Sequence, residues 1–257
     1  MQLRGAKVLV TGASSGIGAA LARQLSSLGA TVALAARRAD RLAAVAAECR
    51  GSVVFTVDLS VPEAGERLIS DAWDALDGLD ALVNNAALDK RKLVGDHDAH
   101  DIEAVMNTNF VTPVRMAIAV LPRMLARGSG TILNVGSGGG RFGIAHESVY
   151  CASKFALTGW TEVAAADLAG TPIDVKLVQP GAVATEMWEQ RPGELAGMPG
   201  GDFITAAECA TGICDALGSE GFEFFVPSGL ADVVGWKNSD VTGWIAMMSN
   251  LGVETAP

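Results

Sequence analysis

The chain has little of what metal sites and disulfide scaffolds require. Its 257 residues include three histidines, His97, His100 and His146, which form neither an H-E-x-x-H pattern nor a cluster with cysteine. The four cysteines show no C-x-x-C spacing, and their density is far below that of a disulfide framework. The sequence therefore predicts no bound metal, and reduced thiols in a cytoplasmic protein.

Long apolar runs and excess positive charge are missing as well. No stretch approaches the roughly 18 uninterrupted apolar residues of a membrane span, and Met1–Lys7 leads into a strand-like run without a signal-peptide pattern. The 19 Lys and Arg are outnumbered by 29 Asp and Glu, which gives a net charge of −10. Because phosphate backbones bind basic surfaces, these features argue against a nucleic-acid partner and favour a small-molecule partner.

Apolar residues make up 49% of the chain and charged residues 19%, which is typical of a packed globular protein. Short apolar segments alternate with helix-length ones, as expected of strands covered on both faces. The predicted strands are Lys7–Thr11, Thr31–Ala36, Ser52–Asp58, Ala81–Asn84, Thr131–Val135, Asp174–Gln179 and Phe222–Val226. The predicted helices are Ile17–Leu28, Asp40–Cys49, Pro62–Leu76, His100–Ala126, Ser148–Leu168 and Ala206–Leu217. This alternation predicts a single α/β domain over residues 1–257, a doubly wound parallel sheet of about seven strands with helices on both faces.

Two segments interrupt the alternation. Residues 186–204 are rich in Gly and Pro and include Met187 and Trp188. We expect this segment to be a lid over a substrate pocket, with a surface loop as the alternative. The C-terminal extension, 230–257, carries Trp236 and Trp244. The sequence leaves open whether it packs on the core, lines the pocket or contacts another subunit.

A glycine-rich turn, Thr11-Gly-Ala-Ser-Ser-Gly-Ile-Gly18, follows the first strand. Gly12, Gly16 and Gly18 permit a tight connection between strand and helix. The amides at the N-terminus of the following helix can then bind a pyrophosphate. Because the turn follows a strand and opens a helix in the first unit, it predicts a Rossmann-type dinucleotide site rather than a structural turn.

The end of the second strand indicates which dinucleotide binds. An NAD site places a carboxylate there for the ribose hydroxyls, whereas this chain has Ala36 followed by Arg37 and Arg38. Guanidinium groups bind a 2′-phosphate bidentately, so NADP(H) is favoured over NAD(H). Asp40 is the rival feature, and we expect it to cap the following helix. Asp58, at the end of the third strand, is expected either to meet the adenine amine or to cap a helix.

A polar loop and a helix follow the strand that ends at Val135. In that helix Tyr150 and Lys154 are four residues apart, which puts the phenol and the ammonium on one face. An ordinary phenol has a pKa near about 10 and is a poor base at neutral pH, and a nearby ammonium lowers that pKa. Ser137, at the strand end, is placed to donate a hydrogen bond to a substrate oxygen. For the Tyr/Lys pair alone, an ordinary amphipathic helix is the alternative.

With these motifs the chain resembles the classical short-chain dehydrogenase/reductase family over nearly its whole length. The ordered matches are Thr11-Gly-x-x-x-Gly-x-Gly18, Asp58-Leu59, Asn84-Asn-Ala-Ala87, Asn109, Ser137, Tyr150-x-x-x-Lys154 and Pro180-Gly-x-Val-x-Thr185. Two positions depart from the usual pattern, since Ala87 stands where glycine is common and Gly136 where serine is common. Neither departure removes a reacting group.

The resemblance implies roles at these positions. Tyr150 would be the general acid/base, Lys154 would lower its pKa and hold the nicotinamide ribose, and Ser137 would polarise the substrate carbonyl. Asn109, rather than Asn107, would fix a water that links Lys154 to solvent. The implied cofactor-binding residues are Gly12, Ser14, Ser15, Ile17, Gly18, Arg37, Arg38, Asp58, Leu59, Asn85, Ala86, Ala87, Tyr150, Lys154, Pro180, Gly181, Val183 and Thr185.

The substrate side is less defined. The candidate walls of a partly apolar substrate pocket are Gly138, Arg141, Phe142, His146, Met187 and Trp188. Members of the family often form dimers and tetramers through long helices. The segments Met116–Ala126 and Phe155–Leu168 are apolar enough to bury such a contact, so a homodimer or homotetramer is expected.

The predicted function is NADP(H)-dependent hydride transfer between nicotinamide and a ketone or secondary alcohol. A 3-oxoacyl carrier-protein reductase is the alternative within the family, although carrier proteins are acidic and this chain is acidic too. A catalytically silent nucleotide-sensing scaffold is the alternative from another class. Such a protein would be expected to have lost the Tyr, Lys or Ser that this chain retains.

Overall fold

The computed structural model of the chain describes residues 1–189 and 203–253. Its strands are β1 (Lys7–Thr11), β2 (Thr31–Ala36), β3 (Val53–Thr56), β4 (Ala81–Asn84), β5 (Gly130–Val135), β6 (Ile173–Pro180), β7 (Val183–Ala184), β8 (Ile204–Thr205) and β9 (Glu223–Val226). Its α-helices are α1 (Gly16–Ser27), α2 (Ala39–Glu48), α3 (Pro62–Leu76), α4 (Ala99–Met106), α5 (Thr112–Arg127), α6 (Ser148–Asp167), α7 (Glu186–Glu189), α8 (Ala206–Gly218), α9 (Leu230–Ser239) and α10 (Val241–Val253).

In the described part of the chain, seven parallel strands form one sheet in the order β3-β2-β1-β4-β5-β6-β9. The chain runs outward from β1 to β3 and then crosses back to β4 on the other side of β1. This reversal opens a crevice at the carboxyl ends of β1 and β4, the place where open α/β sheets bind ligands. The predicted fold class, a doubly wound parallel sheet of about seven strands, is confirmed.

Helices cover both faces of the sheet, and each face has its own apolar core. Helices α1, α2 and α8 pack on one face through residues such as Leu21 and Ile213. Helices α3 and α5 pack on the other through Leu68 and Met116, and α6 adds partly buried residues there. The central strands are apolar on both sides, because both of their faces are covered.

The predicted helix His100–Ala126 contains a π-helical turn. Helix α4 ends at Met106, Asn107–Val111 form the π turn, and α5 continues to Arg127. Such turns insert an extra residue into a helix and often occur at functional sites. Within the described residues, the 29-residue run of 99–127 is the one helix long and apolar enough to cross a membrane by length and composition alone, and 44% of the qualifying window is buried inside the protein.

Several predicted boundaries shift. Strand β3 ends at Thr56, short of the predicted Asp58, because Asp58 instead accepts hydrogen bonds from Ser60 in a tight turn. The prediction that Asp40 caps a helix is wrong, since Arg38 holds the N-cap position and Asp40 lies inside the first turn of α2. The predicted lid, 186–204, lies mostly outside the described residues and stays a prediction, as does the single-domain assignment.

Candidate active site

A cavity of about 530 Å³ opens at the carboxyl ends of the strands. The glycine-rich turn after β1 lies at one side, and the loop after β5 and the start of α6 lie at the other. Every residue predicted to bind the cofactor lines this cavity, as do Ser137, Gly138, Phe142 and Met187. Sequence positions more than 170 residues apart thus meet in one site.

The glycine-rich turn has the backbone geometry that its sequence predicts. Gly12 and Gly16 adopt φ angles of 70° and 52°, in the left-handed region that favours glycine. A Cβ on Gly18 would lie 2.3 Å from the carbonyl oxygen of Gly12, so a side chain at this position would overlap the preceding strand. The turn therefore brings bare backbone to the cavity surface.

The start of α1 is suited to an anion. Its N-cap residue, Ser15, makes no side-chain capping hydrogen bond, and the first turn of α1 carries no acidic residue. Amides at a helix N-terminus carry partial positive charge and bind phosphates. Ser15 and Gly18 line the cavity, so this end of the site fits the pyrophosphate of a dinucleotide.

Hydrogen bonds fix the turn against the neighbouring strand. The Thr11 hydroxyl accepts from the amides of Asn85 and Ala86 at 2.9 and 3.0 Å, and the Asn85 side chain donates to the Thr11 carbonyl at 2.8 Å. Behind them the Asn84 amide donates to the side chain of Asn134 at 2.9 Å, which ties β4 to β5. The end of β4 therefore supports the cavity floor.

At the end of β2, arginines border the cavity where an NAD site would have a carboxylate. Arg38 donates to the Ser15 hydroxyl at 2.5 Å, to the Ser14 hydroxyl at 3.3 Å and to Glu186 at 2.9 Å. Arg37 also lines the cavity, at its exposed edge. Asp58 lines the same end, and the Ser60 backbone amide lowers the pKa of its carboxyl. This end of the cavity fits the adenosine of a nicotinamide cofactor.

Ser137, Tyr150 and Lys154 meet at the opposite end of the cavity. The Ser137 hydroxyl accepts from the amide of Gly139 at 3.0 Å, and its interaction with the Tyr150 phenol acts to lower the phenol pKa. The Lys154 ammonium lies 5.8 Å from the centroid of the Tyr150 ring and donates to the Val135 carbonyl at 2.8 Å. The Tyr and Lys therefore share one helix face, as their spacing predicts.

Burial dominates the electrostatics of this pair. It raises the pKa of the Tyr150 phenol, and the interaction with Ser137 opposes that shift only in part. Burial also lowers the pKa of Lys154 to about 8. Lys154 is not among the groups that shift the phenol pKa, so the expected depression of that pKa by the ammonium stays a prediction.

Asn109 lies in the π turn and does not line the cavity. Its side-chain oxygen accepts from the Leu88 amide at 2.7 Å, and its nitrogen donates to the Leu88 carbonyl at 2.8 Å and the Ser153 hydroxyl at 3.0 Å. Ser153 in turn donates to the Tyr150 carbonyl at 2.7 Å. Asn109 thus joins the loop after β4 to the helix that carries Tyr150.

Two of the predicted substrate residues do not line the cavity. Arg141 is turned away, where it binds Glu162 and Glu223 at 2.5 and 2.8 Å. His146 has a φ angle of 66° in the loop and is likewise absent from the lining. The side chain of Trp188 lies outside the described residues. The sequence showed only that Arg141 and His146 belong to the loop between β5 and α6. It did not show in which direction their side chains point.

Sequence reasoning missed four side chains near Tyr150, namely Leu88, Asp89, Ile144 and Glu147. Glu147 is buried three residues before Tyr150, and its charge is one of the causes that raise the phenol pKa. Arg91 lies 3.5 Å from the Glu147 carboxylate. Glu147 lies one residue before the start of α6, and this position next to the helix of Tyr150 would have allowed its prediction as a site residue.

The C-terminal helices pack on the substrate end of the site. Trp244 of α10 lies 4.7 Å from Phe142 between ring centroids and donates its indole N–H to the Gly143 carbonyl at 2.8 Å. Both side chains belong to an apolar cluster with Leu230 and Met248. Of the alternatives for this extension, packing on the protein itself is therefore observed. Because Phe142 lines the cavity, the extension supports the cavity wall.

Within residues 1–189 and 203–253, no group of three or more His, Cys, Asp or Glu side chains could hold a metal ion. All four cysteines are buried as free thiols. Burial raises the pKa of Cys151, close to Tyr150 in the chain, to about 12. This thiol is therefore protonated at neutral pH.

Comparison with known proteins places the chain among oxidoreductases. A family model described as short chain dehydrogenase matches residues 6–195. The 3-oxoacyl-[acyl-carrier-protein] reductase FabG of Vibrio cholerae is 33% identical over 220 residues, which cover 83% of this chain and 90% of that protein. The chain belongs to the short-chain dehydrogenase/reductase family. It is an oxidoreductase of the kind that interconverts CH–OH and C=O groups with a nicotinamide cofactor.

Solved structures agree with this assignment. A short chain dehydrogenase from Burkholderia cenocepacia J2315, described in complex with NADP, is 27% identical, has a TM-score of 0.82 and covers 100% of both chains. A family member from Burkholderia phymatum, described in complex with NAD, also has a TM-score of 0.82, at 24% identity and with 94% and 95% of the two chains covered. These matches support the fold and leave the choice between the two cofactors to the residues of this chain.

Proposed function

We propose that the protein transfers a hydride between NADP(H) and a ketone or secondary alcohol, with Tyr150 as the general acid/base. One observation carries this proposal: Ser137, Tyr150 and Lys154 lie at one end of a cavity whose other end is the glycine-rich turn. A dinucleotide held along that cavity would reach from the phosphate-binding amides to the phenol. Bound there, the cofactor supplies the hydride.

The residues of the chain supply the proton and the orientation. In reduction the carbonyl carbon receives the hydride, and the carbonyl oxygen takes the proton of the Tyr150 hydroxyl. The Ser137 hydroxyl, which interacts with that phenol, would hold the same oxygen. In oxidation the phenolate takes the proton of the alcohol. Since burial raises the phenol pKa, the phenol is protonated at neutral pH, which is the form that donates a proton in reduction.

Lys154 would bind the nicotinamide ribose and return a proton to Tyr150. Its pKa of about 8 leaves it mostly protonated at neutral pH, yet able to release a proton. Asn109 would complete a route to solvent through a water, as the family resemblance implies. The two hydrogen bonds between its side chain and Leu88 also hold the loop that borders the substrate.

The preference for NADP(H) rests on charge at the end of β2. Ala36 offers no carboxylate to the ribose, and Arg37, Arg38 and Ser14 offer donors to a 2′-phosphate. The carboxylate of Asp58, which also lines the cavity, would meet the adenine amine.

A 3-oxoacyl thioester is the second candidate substrate. The 33% identity to a 3-oxoacyl-[acyl-carrier-protein] reductase favours it, whereas the net charge of −10 disfavours docking of an acidic carrier protein. The cavity wall near Tyr150 combines the apolar Leu88, Phe142 and Ile144 with the carboxylate of Glu147. Such a wall suits a partly apolar ketone.

The experiment follows nicotinamide absorbance over a panel of ketones, alcohols and 3-oxoacyl thioesters with each of the two cofactors. We expect reduction of small ketones with NADPH to be fastest. Faster turnover of the thioesters would identify a 3-oxoacyl thioester, and not a small ketone, as the substrate. The absence of turnover with every carbonyl and alcohol would overturn the proposed reaction.

We also propose that the protein forms a homodimer or homotetramer. Ile118 and Leu125 on α5, and Phe155 and Val163 on α6, are large apolar side chains at least 40% exposed. Those helices contain the segments predicted for subunit contact. Light scattering of the purified protein tests this, and a monomeric mass would contradict it. The cytoplasmic location stays a prediction.

A further inference from the structure

Glu186 binds Arg38, which lies beside the proposed 2′-phosphate position, and also Arg41, which does not line the cavity. One oxygen of its carboxylate accepts from Arg38 Nη1 at 2.9 Å, and the other accepts from Arg41 Nη1. Glu186 follows Thr185 in the chain, and both residues line the cavity. A carboxylate from β7–α7 thus lies between two guanidinium groups of the β2–α2 segment.

Each of the three guanidinium nitrogens of Arg38 donates at least one hydrogen bond in this arrangement. Its Nε and Nη2 point to the hydroxyls of Ser14 and Ser15, and its Nη1 points to Glu186. The two hydroxyls are neutral and can rotate to serve a phosphate as well. Glu186 is the only anionic partner of Arg38 among the described residues. A phosphate bound by Arg38 would therefore compete with the Glu186 carboxylate.

The strength of these ion pairs permits such competition. Hydrogen bonds from Arg38 and Arg41 hold the pKa of the Glu186 carboxyl below its ordinary value, so it is ionised at neutral pH. The three side chains are between 41% and 45% exposed, and ion pairs in contact with solvent are weak. A phosphate carries more negative charge than a carboxylate and accepts more hydrogen bonds. It is equipped to displace Glu186.

We propose that Glu186 sets the degree of cofactor selection, because its carboxylate occupies the guanidinium of Arg38, one of the two arginines proposed to bind the 2′-phosphate of NADP(H). The inference rests on the 2′-phosphate site of the proposed function. The 2′-phosphate of NADP(H) displaces Glu186 from Arg38, whereas NAD(H) leaves that pair in place. Glu186 therefore weakens the preference for NADP(H) that Arg38 creates. Removal of the Glu186 charge strengthens binding of NADP(H) and leaves binding of NAD(H) unchanged.

The test compares wild type with Glu186→Gln, which keeps the shape of the side chain and removes its charge. Glu66→Gln is the matched control, because Glu66 is another exposed carboxylate that binds an arginine, Arg115, and it does not line the cavity. The probes are adenosine 2′,5′-bisphosphate and 5′-AMP, which differ by the 2′-phosphate, titrated by calorimetry. They report binding without any hydride transfer.

In Glu186→Gln the dissociation constant of the bisphosphate is expected to fall about three- to tenfold, as loss of two solvent-exposed ion pairs implies. The constant for 5′-AMP should stay within about twofold, and Glu66→Gln should change neither, since its charge lies away from the site. The gain should shrink as salt is raised, because these charges are screened. Thermal melts of both variants verify folding.

Weaker bisphosphate binding in Glu186→Gln would overturn the inference, since Glu186 would then position Arg38 for the phosphate. Equal changes for both nucleotides would overturn it as well. The proposed reaction can fail separately. If wild type binds the bisphosphate more tightly than 5′-AMP but reduces no carbonyl, the hydride-transfer proposal is lost and the role of Glu186 is still decided by the titrations.

Discussion

The Lys154 ammonium lies 2.8 Å from the Val135 carbonyl oxygen, so helix α6 is hydrogen-bonded to the carboxyl end of β5 through the side chain proposed to assist Tyr150. Only 2% of Lys154 is exposed to solvent. The carbonyl provides a partner for a charge that has little contact with solvent. This contact fixes the position of the ammonium. The burial of the same group sets the pH range in which it loses its proton.

The pH dependence of ketone reduction should report Lys154. Because burial lowers its pKa to about 8, the ammonium loses its proton well below the ordinary range for lysine. Reduction consumes a proton and needs the protonated lysine, so kcat should be level below about pH 8 and fall above it. Alcohol oxidation should show the opposite slope. A reduction rate that stays level to pH values near the ordinary lysine pKa, about 10.4, would contradict this account.

The ionisation of Tyr150 can be read directly, because the chain contains one tyrosine. Tyrosinate absorbance during an alkaline titration therefore reports this phenol alone. We expect a midpoint above that of the unfolded protein in denaturant, since burial raises the pKa. Ser137→Ala should raise the midpoint further, because the interaction with Ser137 lowers the pKa. A midpoint below the unfolded value would show that the ammonium outweighs burial, as the sequence alone suggests.

The arginines at the end of β2 should select the cofactor. Removing charge-assisted hydrogen bonds to a phosphate, by Arg37→Ala with Arg38→Ala, should weaken NADP(H) binding by about ten- to a hundredfold. NAD(H) binding should change by less than about twofold, because NAD(H) lacks the phosphate. Arg23→Ala is the control, since Arg23 binds Glu48 and does not line this cavity. Equal losses for both cofactors would refute a 2′-phosphate role.

Gly18→Ala should damage both folding and cofactor binding. The new Cβ would lie 2.3 Å from the Gly12 carbonyl oxygen and 2.6 Å from the side-chain nitrogen of Asn85. Overpacking of this kind lowers the free energy of unfolding by about 1–3 kcal/mol. Gly235→Ala is the control, because that helical glycine has no atom within 4 Å of the new Cβ and should be neutral or stabilising. Chemical denaturation measures both variants, and equal stabilities would contradict the close approach of turn and helix.

Much of this site could be predicted from the sequence because local patterns position it. The strand-to-helix turn at Gly12–Gly18 and the i, i+4 pair of Tyr150 and Lys154 are short-range features, and the structure has both. The seven strands follow from apolar runs that a parallel sheet requires. Their ends shift by a few residues, since side chains such as Asp58 decide where a turn begins.

What could not be predicted depends on contacts between distant segments. The π turn at Asn107–Val111 interrupts a segment for which the sequence pattern predicts one continuous helix. Arg141 fell outside the cavity because Glu223, 82 residues away, binds it. The raised pKa of Tyr150 follows from burial, which spacing on a helix does not reveal. The pairing of Glu186 with Arg38 joins positions 148 residues apart.

The most direct test of the proposed reaction is Tyr150→Phe, which removes only the proton-donating hydroxyl. NADPH and ketone turnover are measured by nicotinamide absorbance, and NADPH binding by calorimetry on the same samples. The account predicts NADPH affinity within about twofold of wild type and a fall in kcat of about a hundred- to ten-thousandfold, the range for loss of a general acid. Turnover close to that of wild type in Tyr150→Phe would contradict the assignment of Tyr150 as the proton donor.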